Sequence, residues 1–253
     1  MEKFVFLTDV HFGYERRGGH KVALHDVKAL NATLSFLKDF KPDHIILGGD
    51  ILDCGSISHH NKGKPGAVEG FRLIADAKEL RGLLIEPLEA LNADTYTYII
   101  GNHEDWLTQL TDTMPALEGV VDINALLDLS GWDVIPQGGA HKLGKLVFVH
   151  GDQLGGGEHV AKSATVAYEK SIRFGHFHTY QVYSKTSAVE EHGHTGVAVP
   201  CLCKKGPAYG KGAPNRWQQG FLWGYVGKGG TFNDYVSVIV GGQTTINGKT
   251  YVG

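Results

Sequence analysis

Five short apolar runs, each closing on an Asp, Asn or His, constrain this chain more than any other feature. They are Phe4-Val5-Phe6-Leu7 ahead of Asp9 and His11, Ile45-Ile46-Leu47 ahead of Asp50, Tyr98-Ile99-Ile100 ahead of Asn102 and His103, Leu146-Val147-Phe148-Val149 ahead of His150, and Ile172-Arg173-Phe174 ahead of His176 and His178. Each run reads as a buried strand. In an open α/β sheet the loops at the carboxyl ends of the strands open on one crevice, so groups spread over about 170 positions can share one site. That convergence points to an enzyme.

Composition frames this site. With 253 residues and 42% apolar side chains the chain can build one large core, and residues 1–253 read as a single domain. No stretch reaches the roughly 18 to 20 consecutive apolar residues of a membrane-spanning helix. Met1-Glu2-Lys3 enters a strand directly, without the apolar region of a signal peptide. The expectation is a cytoplasmic protein with no membrane contact and no obligate protein partner. Three cysteines, an odd number, argue against a disulfide framework, and Cys201 and Cys203 lack a second thiol pair for structural zinc. Cys54 reads as a packed thiol. A net charge of −3 excludes the broad basic face of a non-specific duplex binder, so any nucleic-acid contact has to be local. Fourteen histidines are many for this length, and five of them close the apolar runs.

Helical patterns lie between the early strands. After a loop rich in Gly and charge over residues 13–21, Leu24, Val27, Leu30, Leu34 and Leu37 recur at helical spacing up to Lys41-Pro42, completing a βαβ unit. Residues 56–66 read as a polar loop. Phe71, Ile74, Leu84, Leu88 and Leu91 mark a second helix that Pro87 should kink or split. Shorter helices are expected over 104–112, 123–129 and 158–170. From residue 132 short strands dominate, at 132–135, 146–149, 172–174, 181–183 and 197–202. Three further β segments follow at 221–226, 235–240 and 244–251, the last turned by Asn247-Gly248.

Written as motifs, the chain carries D-x-H at Asp9 and His11, G-D-x-x-D at Asp50 and Asp53, G-N-H-E from Gly101 to Glu104, H-G-D at His150, and G-H-x-H at His176 and His178. This ordered set resembles the calcineurin-like metallophosphoesterase superfamily over residues 4–178. The resemblance implies a four-layer α/β/β/α sandwich of two facing mixed sheets, the metallo-dependent phosphatase fold, with residues 179–253 as a β-rich part completing the second sheet. It further implies a metal held by Asp9, His11, Asp50 and His178 and a second held by Asp50, Asn102, His150 and His176, with Asp50 bridging. Carboxylate, imidazole and amide oxygen without thiolate suit two divalent ions, Mn²⁺ first, with Fe, Zn²⁺ and Ni²⁺ as alternatives. Two cations roughly 3.5 to 4 Å apart acidify a shared water and clamp phosphoryl oxygens, so the expected nucleophile is a metal-bound hydroxide. In the family the residue at His103 holds no metal. It would act as general acid on the leaving oxygen, with Asp53 placed to hydrogen-bond its ring. Glycines 48, 49, 101, 151 and 175 let the backbone turn beside the ions.

Other polar residues have plainer readings. His59, His60, Lys62 and Lys64 read as a solvated loop, Trp217 as core, and His20, His25, His44, His141, His159, His192 and His194 as surface or core residues.

The superfamily spans phosphatases, nucleases and other phosphodiesterases, so the metal core does not choose the substrate. Its Ser/Thr phosphatases carry arginines directly after G-D-x-x-D and directly before G-N-H-E, where they grip a phosphate dianion. Here Cys54 and Ile100 stand in those places. A singly charged diester needs that grip less than a monoester dianion does. The reading is therefore a phosphodiesterase acting on a nucleotide or nucleic acid, with a short or single-stranded substrate if it is a nuclease. The alternatives are a phosphomonoesterase of the Ser/Thr protein phosphatase type and a non-catalytic scaffold, against which every ligand position is intact. The G-N-H-E-D-W segment and the stretch Asn215-Arg216-Trp217-Gln218-Gln219-Gly220-Phe221 look like the compact metallophosphoesterases of bacteriophages and prophages.

Overall fold

Alternating apolar side chains along the strands sort the molecule into layers. The computed structural model describes residues 1–186, 188, 193–207 and 215–253, so His192 lies outside the described residues. One sheet has six strands in the order β13 (Phe232–Ile239), β12 (Gln219–Val226), β1 (Glu2–Leu7), β4 (His44–Leu47), β5 (Thr95–Ile99) and β6 (Asp133–Ile135). The other has five, in the order β10 (Gln181–Lys185), β11 (His194–Ala198), β9 (Ser171–Phe174), β8 (Leu146–Val149) and β7 (His141–Leu143). The strands that carry the motifs pair in parallel, β1 with β4 and β4 with β5 in the first sheet, β8 with β9 in the second.

In the first sheet Val5, Leu7, Ile45, Leu47, Tyr98 and Phe221 face one side, where they pack with Leu30, Leu34 and Leu37 of α1 (Val27–Phe40), Leu80 of α3 (Leu73–Leu80) and Leu127 of α6 (Ile123–Leu127). Phe4, Phe6, Ile46, Ile99 and Leu222 face the other side and meet Leu146, Phe148 and Val197 of the second sheet. Val147, Val149 and Ile172 leave the second sheet outward onto Val160 and Ala164 of α7 (Val160–Tyr168). The period of two, with both faces buried, yields helix, sheet, sheet and helix. This is the expected α/β/β/α sandwich.

The C-terminal part departs from expectation. Only β10 and β11 join the second sheet, whereas β12 and β13 extend the first, with Phe6 opposite Leu222 and Glu2 opposite Val226. The cause is the alternation in β12, whose Phe221 and Trp223 side joins the helix-covered core and whose Leu222 joins the inter-sheet core. Asn247 and Gly248, both at positive φ (50° and 80°), turn β14 (Gln243–Ile246) into β15 (Lys249–Val252) as the sequence signal requires. This hairpin lies on α1, with the Tyr251 ring edge-on to Phe36 at 5.5 Å.

Two further segments differ. Residues 13–21 are not a plain loop, because Gly18 and Gly19 turn β2 (Tyr14–Arg17) into β3 (His20–Ala23). With Glu15, Arg16, Arg17, His20 and Lys21 flanking the turn, no apolar alternation betrays this hairpin. Pro87 does not split the second helical run. A π-helical turn at Arg81–Ile85 widens the helix between α3 and α4 (Glu86–Glu89) and absorbs the missing N–H. Ile74 is 73% exposed and takes no part in the core. Among the described residues no helix is long and apolar enough to cross a membrane.

Arg173 in β9 is the largest of the fully buried side chains and couples the two sheets. Its Nε and Nη2 engage both carboxylate oxygens of Asp234 on β13, and Nη1 and Nη2 also donate to the carbonyl and hydroxyl of Thr195 at 2.7 and 2.9 Å. Removing one partner leaves a desolvated charge unpaired, which typically costs about 3–5 kcal/mol. In urea denaturation, Asp234→Asn should lose stability on that scale, and the double variant Arg173→Met/Asp234→Leu should recover most of it.

Candidate metal centre

The predicted ligands leave their strands through unusual backbone. Asp9, His11, Asp50, His176 and His178 all sit at positive φ, between 45° and 65°. Asp and His enter this region more readily than most L-residues, yet strained backbone of this kind concentrates at functional sites. The loops also approach too closely for a β-carbon: one on Gly101 would fall 2.3 Å from Asp50 Oδ1, and one on Gly175 would fall 2.3 Å from Asp9 Oδ2.

These turns gather the predicted positions into two adjoining groups, Asp9 with His11 and His178, and Asp50 with His150 and His176. His178 Nε2 lies 3.1 Å from Asp9 Oδ1 and 3.2 Å from His11 Nε2. In the second group His150 Nε2 lies 3.4 Å from Asp50 Oδ2 and 3.1 Å from Asn102 Oδ1. Asp50 Oδ2 is also 3.7 Å from His11 Nε2, which sets this carboxylate between the groups. Asp9 is held by Thr8 Oγ1 at 2.8 Å and by the backbone N–H of His176 at 2.9 Å.

The donor set fits cations. His150 Nδ1 donates to the Gly48 carbonyl at 2.8 Å, and His11 Nδ1 donates to Asp53 Oδ1 at 3.1 Å, so in each neutral ring Nε2 carries the lone pair. Those lone pairs point at carboxylate and amide oxygens. Acceptors facing acceptors need a positive charge between them, and separations near 3 Å suit donors about 2.1 Å from a shared ion. Without ions, protons fill that role. Burial opposes protonation of His150, but the charge and hydrogen bond of Asp50 overcome it and raise the pKa to about 10. Burial likewise works to raise Asp50, yet His150 and His103 hold it well below the ordinary carboxylate range.

His103 and Asp53 occur beside this cluster in an arrangement partly different from the expected one. His103 Nδ1 donates to the Asp53 backbone carbonyl at 2.8 Å, and the Asp53 carboxylate lies 3.3 Å from the same nitrogen while accepting from His11. Asp53 thus orients a predicted ligand as well as the predicted acid. Burial opposes the charge on His103, but Asp50 and Asp53 raise its pKa to about 10; burial works against the Asp53 carboxylate, but His103 and His11 bring it to about 2. The Trp106 ring packs 4.3 Å from the His103 ring.

The sequence reading missed Glu104. Its carboxylate, 2% exposed, accepts from the N–H groups of Asp50, Ile51, Leu52 and Gly101 and from the Tyr98 hydroxyl, at 2.6 to 3.0 Å. Burial raises its pKa, Asp50 adds to the rise, and the Leu52 N–H opposes it. Its place directly after a predicted ligand and acid was the available signal. Trp217 is another revision: the half-buried ring stands edge-on to His178 at 4.1 Å, at the site and not in the core. Cys203 Sγ lies 3.9 Å from His178 Nδ1, and burial pushes its thiol well above the usual range, so it stays protonated behind the ligand. Cys54 is buried, with its thiol raised in the same way.

The calcineurin-like phosphoesterase family model matches residues 2–219, and the chain belongs to that family. It is a metal-dependent hydrolase of phosphoric esters. It is 27% identical over 249 residues to the Gene 54 protein of Mycobacterium phage L5, covering 91% of this chain and 95% of that protein. The Gene 54 protein of Mycobacterium phage D29 is also 27% identical, over 247 residues, with the same 91% and 95% coverage. Among solved structures, Vps29 of Chaetomium thermophilum aligns at a TM-score of 0.49 and 11% identity, covering 100% of this chain and 99% of that one.

Two outcomes follow for the centre. Adding Mn²⁺ to metal-stripped protein at about 100 times its dissociation constant should stabilise it by about 2.7 kcal/mol. This raises the melting temperature by roughly 5–10 °C, reversibly with chelator, and no shift would argue against the centre. Glu104→Gln turns an amide N–H₂ toward backbone donors, and each orphaned donor costs about 1–3 kcal/mol. Its denaturation midpoint should fall, and its Mn²⁺ affinity with it.

Proposed function

We propose that the chain is a dinuclear phosphodiesterase acting on a nucleotide or nucleic acid. The observation that carries this reading is the environment at positions 54 and 100. Cys54 is 3% exposed within the helix-covered core, and Ile100 packs against the same core, so neither position offers a cation to a phosphate dianion. The guanidinium of Arg16 is already engaged by the carbonyls of Gly19 and Glu69, at 2.9 and 2.7 Å. A diester, with one charge, needs no such fork.

Asp9, His11, Asp50 and His178 would hold one divalent ion, and Asp50, Asn102, His150 and His176 the other, with Mn²⁺ proposed for both. When bound, such ions supply Lewis acidity, acidifying water and offsetting phosphoryl charge. The remaining work falls to the chain. The Asp53 carbonyl holds His103 through Nδ1, leaving Nε2 to give its proton to the departing oxygen as the P–O bond breaks and water oxygen bonds to phosphorus. Trp106, packed on the same ring, restricts its motion.

With Mn²⁺-loaded protein, kcat/KM for bis(4-nitrophenyl) phosphate should exceed that for 4-nitrophenyl phosphate; a monoester preference would overturn the reading. Asp50→Asn should lose metal and turnover together, by elemental analysis and assay. His103→Ala should keep both metals and lose about 10²–10⁴ in rate, most for poor leaving groups. Equal loss for all leaving groups would remove its role as acid.

A further inference from the structure

The phosphoryl chemistry leaves a neighbouring feature unused. Beside Asn102 and His103 lies a cleft of about 550 Å³, walled by the β2–β3 hairpin, the 55–71 segment and the start of α5 (Asp105–Thr113). Beside the carboxylates of Glu15 and Asp53 its lining holds three aromatic side chains: Tyr14 is half-buried, and Phe71 and Trp106 are 6% and 8% exposed. Tyr14 and Phe71 rings lie 6.5 Å apart, and Trp106 carries the aromatic surface up to His103. Cations flank these rings. Lys21 Nζ stands 3.5 Å from the Tyr14 centroid, and the Arg16 guanidinium 5.9 Å from that of Phe71.

We propose that this cleft is the leaving-group subsite and takes a nucleoside, its base lying among Tyr14, Phe71 and Trp106. The proposal rests on the phosphodiesterase reading and adds to it which side of the scissile bond is recognised. His103 lines the cleft, so the oxygen it protonates belongs to the group seated there. In the reaction water loses one proton to solvent as its oxygen bonds to phosphorus, the P–O bond to the ribose oxygen breaks, and the His103 proton goes to that oxygen, His103 being reprotonated from solvent. The products are a nucleoside hydroxyl and a phosphomonoester. A planar base matches aromatic walls, since stacking on such rings contributes about 1–3 kcal/mol per base. The volume is within the range of small-molecule sites, roughly 300–1,000 Å³. A polyol or a lipid alcohol offers no planar face to stack.

The test compares kcat/KM of the Mn²⁺-loaded protein for adenylyl-adenosine and for glycerophosphoethanolamine, a diester without an aromatic group. The native protein should favour the dinucleoside ester, and Tyr14→Ala should reduce that preference about tenfold or more. Tyr14→Phe, which keeps the ring, should retain it. If Tyr14→Ala lowers both esters in parallel, the ring is only structural and the subsite is overturned. Turnover of glycerophosphoethanolamine but not of the dinucleoside ester overturns the subsite and leaves the phosphodiesterase reading standing. If neither diester is cleaved while 4-nitrophenyl phosphate is, the phosphodiesterase reading fails and the subsite falls with it.

Discussion

The Glu104 carboxylate holds the loop bearing Asp50 against the loop bearing Asn102 and His103. Its five donors come from both sides, and four are backbone N–H groups that have no other partner where the strands end. With these amides satisfied, Asp50 can adopt a positive φ of 51° and project its carboxylate between the two ligand groups. His103 is drawn in through the same junction, since its backbone N–H donates to Asp50 Oδ1 at 2.9 Å. The geometry of the centre therefore depends on a group that touches neither metal position nor substrate.

Around that junction the electrostatics are those of a site built for cations. Asp9, Asp50 and Asp53 are buried, each with a carboxylate oxygen within 3.9 Å of a His11 ring nitrogen, and imidazole nitrogens fixed by Gly48 and Asp53 aim their lone pairs among these oxygens. Such a cluster stays folded only with positive charge inside it, either protons on His150 and His103 or metal ions. Folding and metal binding are linked for this reason. The scaffold tolerates the tension because two sheets buried on both faces, joined by Arg173 and Asp234, hold the strand ends in place.

On the proposed reading, specificity comes from parts with no family motif. The β2–β3 hairpin and the 55–71 segment add the rings of Tyr14 and Phe71 next to His103, where a leaving group would sit. Under the same proposal, the absence of arginine at positions 54 and 100 withholds the fork that would grip a phosphate dianion.

Much was legible along the chain. Buried strands show as apolar runs, ligand types mark their ends, and helical spacing marks α1, because each depends on residues close in sequence. Other features depend on partners far apart: Arg173 meets Asp234 across 61 positions, and Asp50 and Glu104 are 54 apart. No local period reports such contacts, nor the placement of β12 beside β1, nor a polar hairpin like β2–β3. The sequence by itself determined the donor chemistry, the order of the motifs and the double-sided burial of the strands. Only the tertiary structure decided which carboxylate orients which imidazole, which sheet the C-terminal strands join and where the aromatic cleft opens, because each depends on distances between atoms that the chain order leaves free.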